Sequence, residues 1–271
     1  MRPAALKLAV IGDPVAHSAS PALHRRFLAE SGITGTYEAL RIVAGDGRRA
    51  IAALRAAGYT GLNVTTPLKE EAYACADSRD AASLAAGAVN TLVIDELCVA
   101  GYNTDGLGAV GALRAAGLAD LRGARVLVLG AGPTARATIV ALVANGCVAS
   151  IWNRTRAKAD AIVTNFGARA WQPQERVDAV FATLPPGIAS LDSHLRETVL
   201  GAPIVVDANY AARATLGALL GRDVRDGSQM LAASARASFE LFRSNGASPV
   251  GGTGCLGTTT IGSRDGRGVS G

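Results

Sequence analysis

Only three of the 27 basic residues in this 271-residue chain are lysines, and one of them, Lys69, closes the stretch "NVTTPLK" directly after a short β-branched run. A lysine can give and take a proton when burial lowers its pKa, which an arginine cannot do. A carboxylate nearby would orient it and share its charge. Asp105, in "GYNTDGLG", is the candidate for that partner. Around these two stand further polar residues at glycine-rich turns: Ser18 and Ser20 in "GDPVAHSASPALH", Asn90 in "AGAVNT", and Asn103 and Thr104 just before Asp105. Taken singly, each has a structural use as well. The serines fit helix caps, Asn90 a turn, Asp105 an N-cap, and His17 and His24 ordinary surface or core histidines. Pro67 fits the start of a helix that would carry Lys69 two residues in.

A second kind of chemistry is written in "VLVLGAGPTARA". An apolar strand runs into Gly130-Ala131-Gly132-Pro133-Thr134-Ala135 and then a helical stretch. The first glycine allows a tight turn, the second lets backbone approach a pyrophosphate, and the small Ala135 lets helix and strand pack closely. Free N–H groups at the helix start favour the phosphates. About twenty residues on, where such a fold places an acid on the ribose hydroxyls, the chain has "IWNRTRAK" and no acid. Neutral Asn153 removes a repulsion, while Arg154 and Lys158 attract a 2′-phosphate. Thr155 can add a hydroxyl and cap the next helix. The cofactor expected is NADP.

The elements that must position these groups follow from pattern. "KLAVIG", "GLNVT", "NTLVI", "RVLVLG", "VASIWN", "DAVFATL" and "PIVVDA" are strand-like runs separated by alanine-rich helical stretches. That alternation predicts an α/β fold with parallel sheets wrapped by helices, started afresh near Lys7 and near Arg125. The junction is expected in residues 113–125, with a helix ending at Gly117. In an open α/β sheet, loops at strand ends line the ligand crevice, where the polar residues above would converge. Composition excludes other classes. The chain is 49% hydrophobic and 18% charged, with a net charge of +5 from scattered arginines and no basic run, so no nucleic-acid partner is expected. No apolar run spans a membrane, and "MRPAALKLAVIGDP" is too short a run for a signal peptide, which points to a soluble cytoplasmic protein. Cys75, Cys98, Cys147 and Cys255 lack metal-ligand spacing and read as buried thiols, so no metal is expected. From 244 onward the chain is rich in Gly, Ser and Thr without apolar period and reads as a disordered tail.

The motifs together resemble the shikimate dehydrogenase family. Gly12-x-Pro14, His17-Ser18-x-Ser20-Pro21-x-x-His24, Asn63-Val64-Thr65-x-Pro67-x-Lys69, Gly87-Ala88-Val89-Asn90-Thr91 and Asn103-Thr104-Asp105-Gly106 occur in the family's order. The glycine turn, "NRT", "DANY" and "GSQML" continue the match over roughly residues 6–243. The resemblance implies reduction of 3-dehydroshikimate to shikimate with NADPH, in the route to aromatic amino acids. Ser18 and Ser20 would hold the substrate carboxylate, and Thr65, Asn90, Asp105 and Tyr210 would frame the ring hydroxyls. Lys69 would be the general acid/base with Asp105 its partner, and Thr183, Ala208, Gly227 and Met230 would flank the nicotinamide.

The implied organisation is a Rossmann-type doubly wound NADP-binding domain over 108–228 and an α/β substrate domain over 1–107 plus 229–243. Monomer and homodimer are both open. Three departures stand out: Ser234 where the family has a substrate-binding Gln, Phe181 in "FAT", and Ala212 after "DANY". Ser234 keeps quinate, aminoshikimate or a related cyclic hydroxy acid as alternative substrates, and a non-catalytic NADP-binding protein as the alternative from another class. One outcome follows from residues 153–158 alone. Arg154→Ala should erode the preference for NADP⁺ over NAD⁺ and leave shikimate binding nearly unchanged, as titrations with the three ligands would show.

Overall fold

The computed structural model describes residues 5–245. The Gly/Ser/Thr-rich stretch from 246 on and Cys255 lie outside the described residues.

The first half builds β1 (Leu6–Gly12), α1 (Ser20–Glu30), β2 (Gly35–Arg41), α2 (Gly47–Ala56), β3 (Gly61–Val64), α3 (Lys69–Cys75), β4 (Ser78–Arg79), α4 (Ala81–Ala86), β5 (Thr91–Ile94) and β6 (Val99–Tyr102). Helix α5 (Asp105–Ala115) leads into β7 (Arg125–Leu129), α6 (Pro133–Ala144), β8 (Val148–Trp152), α7 (Arg156–Phe166), β9 (Arg169–Ala170), β10 (Ala179–Ala182), α8 (Ser193–Gly201) and β11 (Ile204–Asp207). A 3₁₀ turn at Ala211–Arg213, α9 (Leu216–Leu220) and α10 (Ser228–Arg243) follow. No helix among the described residues is long and apolar enough to cross a membrane.

The strands form two sheets, in the orders β2-β1-β3-β5-β6-β4 and β11-β10-β7-β8-β9. The second is parallel throughout. Its central strand, β7, has four buried residues in five, as a strand covered on both faces must. The first sheet departs from the all-parallel expectation, because β5 runs antiparallel to both β3 and β6. The cause is local. The Asp95 carboxylate accepts from the Leu97 and Cys98 amides, each at 2.7 Å, and closes a turn too short for a crossover. That hairpin returns the chain so that Asn90 and Thr104 meet at its open end. The thiols depart in part from expectation: Cys75 and Cys147 are free, but Cys75 is only half-buried.

Helix α5 lies between α6 and α10 and is pressed close to both. A Cβ on Gly106 would fall 2.7 Å from the Ala137 carbonyl of α6, and one on Gly108 2.7 Å from the Met230 carbonyl of α10. Only glycine lets three helix backbones approach so nearly, and the approach sets where Asp105, at the head of α5, points.

The far half of α10 docks on the first sheet through aromatic rings. His24 of α1 is completely buried and stacks on Tyr37 of β2, with centroids 4.3 Å apart, beside Phe27, Phe239 and Phe242. Neither of its ring nitrogens has a partner among the described residues. Burial pushes the imidazole pKa from its ordinary 6.5 down to about 3, so the native ring is neutral. The unfolded chain therefore binds one more proton than the native protein between those two pH values. Stability conferred by the neutral ring is complete above pH 6.5 and drains away as pH falls toward about 3. The slope is roughly 1.4 kcal/mol per pH unit. Replacing the ring, His24→Phe, should leave the urea midpoint at pH 7 nearly unchanged and flatten its decline between pH 6 and 4. An undiminished decline would show that other groups set the acid sensitivity.

Candidate active site

A cleft of about 430 Å³ opens between the two sheets, lined from one side by Ser18, Ser20, Thr65, Lys69, Asn90 and Asp105. From the other side come Gly132, Pro133 and Thr134 of the glycine turn, Thr183 after β10, and Ala208 and Tyr210 after β11. Gly227, Met230 and Ser234 close it at the start of α10.

Lys69 sits at its centre. Its ammonium donates to Asp105 Oδ2 at 2.5 Å and to Thr134 Oγ1 at 3.1 Å. Both charged residues are buried, Lys69 9% and Asp105 5% exposed, which makes this a charge pair sheltered from solvent screening. The other carboxylate oxygen, Asp105 Oδ1, accepts from Asn90 Nδ2 at 2.7 Å. The Asp105 backbone amide donates to Asn103 Oδ1, and Asn103 Nδ2 donates to the Ala88 carbonyl, so the carboxylate is fixed from its own main chain as well.

Local sequence explains these placements. Pro67 does not open the helix as expected. The chain turns over Thr65–Leu68, closed by the Leu68 amide on the Thr65 carbonyl at 3.0 Å, and α3 begins at Lys69 itself. Asp105 is likewise the first residue of α5, with Thr104 as the capping position. At α1 neither serine caps: the capping residue is Ala19 without a side-chain bond, and Pro21 supplies the preset first turn. Ser18 and Ser20 are thereby left to the cleft. The Ser18 hydroxyl accepts from the Ser20 amide at 3.2 Å. The phenol of Tyr37, on β2, is buried as well. Burial raises that phenol well above the usual tyrosine range, so it is a proton donor. It donates to Asn63 Oδ1 at 2.7 Å; Asn63 in turn donates to Thr91 Oγ1 at 3.3 Å, and Thr91 to Asn90 Oδ1 at 3.0 Å. A continuous run of hydrogen bonds thus joins Tyr37 to Asn90 and the charge pair. Sequence reasoning missed Tyr37 because it lies on a strand, β2, whose one buried position among seven gives a weak pattern.

Ser234 lines the cleft, yet its hydroxyl is engaged: it lies 2.8 Å from Thr104 Oγ1 and 3.4 Å from Asn90 Nδ2. Tyr210 reaches the first half of the chain by accepting from the Ala19 amide at 3.4 Å. Arg213, which the sequence did not single out, meets His17 Nε2 at 3.0 Å beside it.

The glycine turn has the shape a dinucleotide needs. Gly130 adopts φ +106°, and a Cβ there would lie 2.5 Å from Thr183 Oγ1. Among the described residues, chain neighbours aside, no atom lies within 4 Å of where a Cβ on Gly132 would be, so its face is open to a ligand. Ala135 is completely buried against the sheet, and Ala131 packs at the edge of the same core. Twelve-residue α6 then presents its amino end to the opening. Asn153, Arg154, Thr155 and Lys158 do not line the central cleft; they stand at the end of β8 and the start of α7, with Arg154 and Lys158 exposed. Among the described residues no carboxylate pairs with either cation, whereas neighbouring Arg156 is paired with Asp160 at 3.8 Å. Thr155 occupies the capping position of α7 but makes no side-chain cap bond; Asn153 Nδ2 instead donates to its carbonyl at 2.9 Å.

Residues 10–92 match the family model described as shikimate dehydrogenase substrate binding domain, and residues 112–183 match the one described as shikimate / quinate 5-dehydrogenase. A shikimate dehydrogenase (NADP(+)) of Brucella canis is 43% identical over 166 residues, which are 61% of this chain and 57% of that protein. The enzyme of the same name from Acidiphilium cryptum is 46% identical over 158 residues, 58% of this chain and 57% of the relative. The matched stretch thus spans a little over half the length of these curated relatives. In solved structures the likeness runs further. The shikimate 5-dehydrogenase of Thermus thermophilus, in complex with NADP(H) and shikimate, superimposes with a TM-score of 0.77 at 33% identity, covering 88% of this chain and 94% of that one. Two α/β sheets facing one cleft, a buried lysine–aspartate pair and these matches agree, and the chain belongs to the shikimate dehydrogenase family.

Proposed function

We propose that this chain is an NADP-dependent oxidoreductase that interconverts 3-dehydroshikimate and shikimate, acting as the reductase on the route to aromatic amino acids. The observation that carries the reading is the buried Lys69–Asp105 pair, which faces both the polar pocket and the open glycine turn. Relatives named for this activity support it.

Ser18 and Ser20 bind the substrate carboxylate through their hydroxyls. Thr65, Asn90, Asp105 and Tyr210 hold the ring hydroxyls and set its rotation in the pocket. The nicotinamide, when bound, supplies or accepts the hydride. Lys69 donates a proton to the carbonyl oxygen as that carbon is reduced, and takes it back from the hydroxyl in the reverse direction. Asp105 holds the lysine at hydrogen-bonding distance. For the nucleotide, Gly130, Ala131, Gly132 and Pro133 form the pyrophosphate turn and Ala135 keeps its helix close to the sheet. Asn153, Arg154, Thr155 and Lys158 receive the 2′-phosphate, and Thr183, Ala208, Gly227 and Met230 flank the nicotinamide. The proposed division is a substrate domain of residues 1–107 and 229–243 and a nucleotide domain of 108–228, with α5 and α10 packed together between them.

Ser234 favours a second substrate reading. Its hydroxyl is held by Thr104 and Asn90, leaving one side of the pocket without a long polar side chain. A bulkier or differently substituted cyclic hydroxy acid, such as quinate or aminoshikimate, fits that space.

Steady-state assays of shikimate, quinate and aminoshikimate with NADP⁺ and NAD⁺ separate these readings. Shikimate with NADP⁺ should give the highest kcat/KM. Lys69→Ala should lower kcat by about 10²–10⁴ with little change in shikimate affinity. Absence of turnover with all three substrates, despite tight NADPH binding, would sink the enzymatic reading in favour of a non-catalytic NADP-binding protein.

A further inference from the structure

Thr134 belongs to the glycine turn and is the second residue of α6, after Pro133. Its position fits a hydroxyl offered to a pyrophosphate, but the hydroxyl points elsewhere. It accepts from Lys69 Nζ at 3.1 Å and donates to Asp105 Oδ2 at 3.3 Å, closing a triangle with the 2.5 Å ion pair. Its own main chain is held, since Thr138 Oγ1 donates to the Thr134 carbonyl at 2.8 Å, and a β-branched side chain in a helix has few rotamers. Lys69, by contrast, carries four rotatable bonds and starts from a different part of the fold, at the head of α3. With only one carboxylate oxygen as acceptor, the ammonium could swing about that oxygen. A second acceptor from a rigid element fixes its direction and leaves the third N–H free for the substrate oxygen.

We propose that Thr134 is a positioning residue for proton transfer: its hydroxyl fixes the Lys69 ammonium against Asp105 and ties the acid/base to the turn that carries the nucleotide. The inference rests on the dehydrogenase reading above, to which it adds one residue and a coupling between the two halves of the cleft. The alignment of Lys69 then depends on how the two sheets sit against each other, so a cleft that has drifted open loses it.

The test compares Thr134→Val, which keeps the shape and removes the hydroxyl, with Thr134→Ser, which keeps the hydroxyl. With saturating NADP⁺, Thr134→Val should lower kcat for shikimate oxidation about tenfold, as sub-ångström misplacement of a reacting group does, and leave shikimate KM within about twofold. The acidic limb of its kcat/KM profile should move to lower pH, because the ammonium has lost an acceptor. Thr134→Ser should restore both. A readout without turnover is the rate at which an amine-reactive probe labels Lys69 in substrate-free protein, followed by peptide mass spectrometry. It should rise severalfold in Thr134→Val and stay at the wild-type value in Thr134→Ser. Wild-type kcat, pH profile and labelling rate in Thr134→Val would overturn the proposal. So would weaker NADP⁺ binding with wild-type kcat at saturation, which assigns the hydroxyl to the phosphates. If the wild-type protein turns over none of the substrates, the dehydrogenase reading fails by itself, and the labelling rates still decide whether Thr134 holds Lys69.

Discussion

A lysine and an aspartate buried side by side are a constraint on everything around them. Taking two ions out of water costs several kcal/mol each, and their mutual attraction offsets this only when the remaining donors and acceptors are also satisfied. Here that requirement is met from four directions. Asn90 serves one oxygen of Asp105, Thr134 joins Lys69 at the other, Asn103 fixes the Asp105 backbone, and Thr104 with Ser234 fixes Asn90. The β5–β6 hairpin exists at the right place to bring Asn90 and Thr104 together, and the glycines of α5 let Asp105 arrive between α6 and α10. The loops of the first half are rich in Asn and Thr for this reason: short amides and hydroxyls can satisfy a buried charge pair without filling the pocket.

The same polar chemistry reaches into the first sheet. Hydrogen bonds run there from Tyr37 through Asn63 and Thr91 to Asn90. Their members come from β2, β3 and β5, so the placement of Asn90 beside the charge pair is set by strand register and not by loop conformation. The other wall of the pocket is made by the glycine turn, the residues after β10 and β11, and the head of α10.

Much of this was legible in the sequence because the chemistry sits at strand ends. The glycine turn, Lys69, Asp105, Asn90 and the two serines each follow an apolar run, and strand ends converge in an α/β sheet whatever the details of pairing. Other features were hidden for physical reasons. Strand β2 alternates weakly, and β4 and β9 are two residues long, so periodicity cannot find them. The antiparallel hairpin depends on a single Asp95 side chain closing a turn. The start of α3 at Lys69, not at Pro67, depends on a turn whose bond joins Thr65 and Leu68. The contact of Thr134 with Lys69 links residues 65 positions apart and has no local signature at all. The glycine motif describes a local turn, while the contact belongs to the packing of two sheets.

That distinction separates two kinds of recognition in this chain. At the start of α7 the cations Arg154 and Lys158 are exposed and without carboxylate partners among the described residues, so any field they present is one that salt screens. At the cleft centre the Lys69–Asp105 pair is sheltered, and its effect depends on direction and distance more than on ionic strength. The first kind tolerates a mobile side chain and is readable from residue type alone: no acid, two bases, the right spacing. The second requires sub-ångström placement, and placement is a property of helices α3, α5 and α6 converging. Cofactor choice can therefore be inferred from a short stretch of sequence, whereas the orientation of the Lys69 ammonium can be inferred only once the two sheets are seen together.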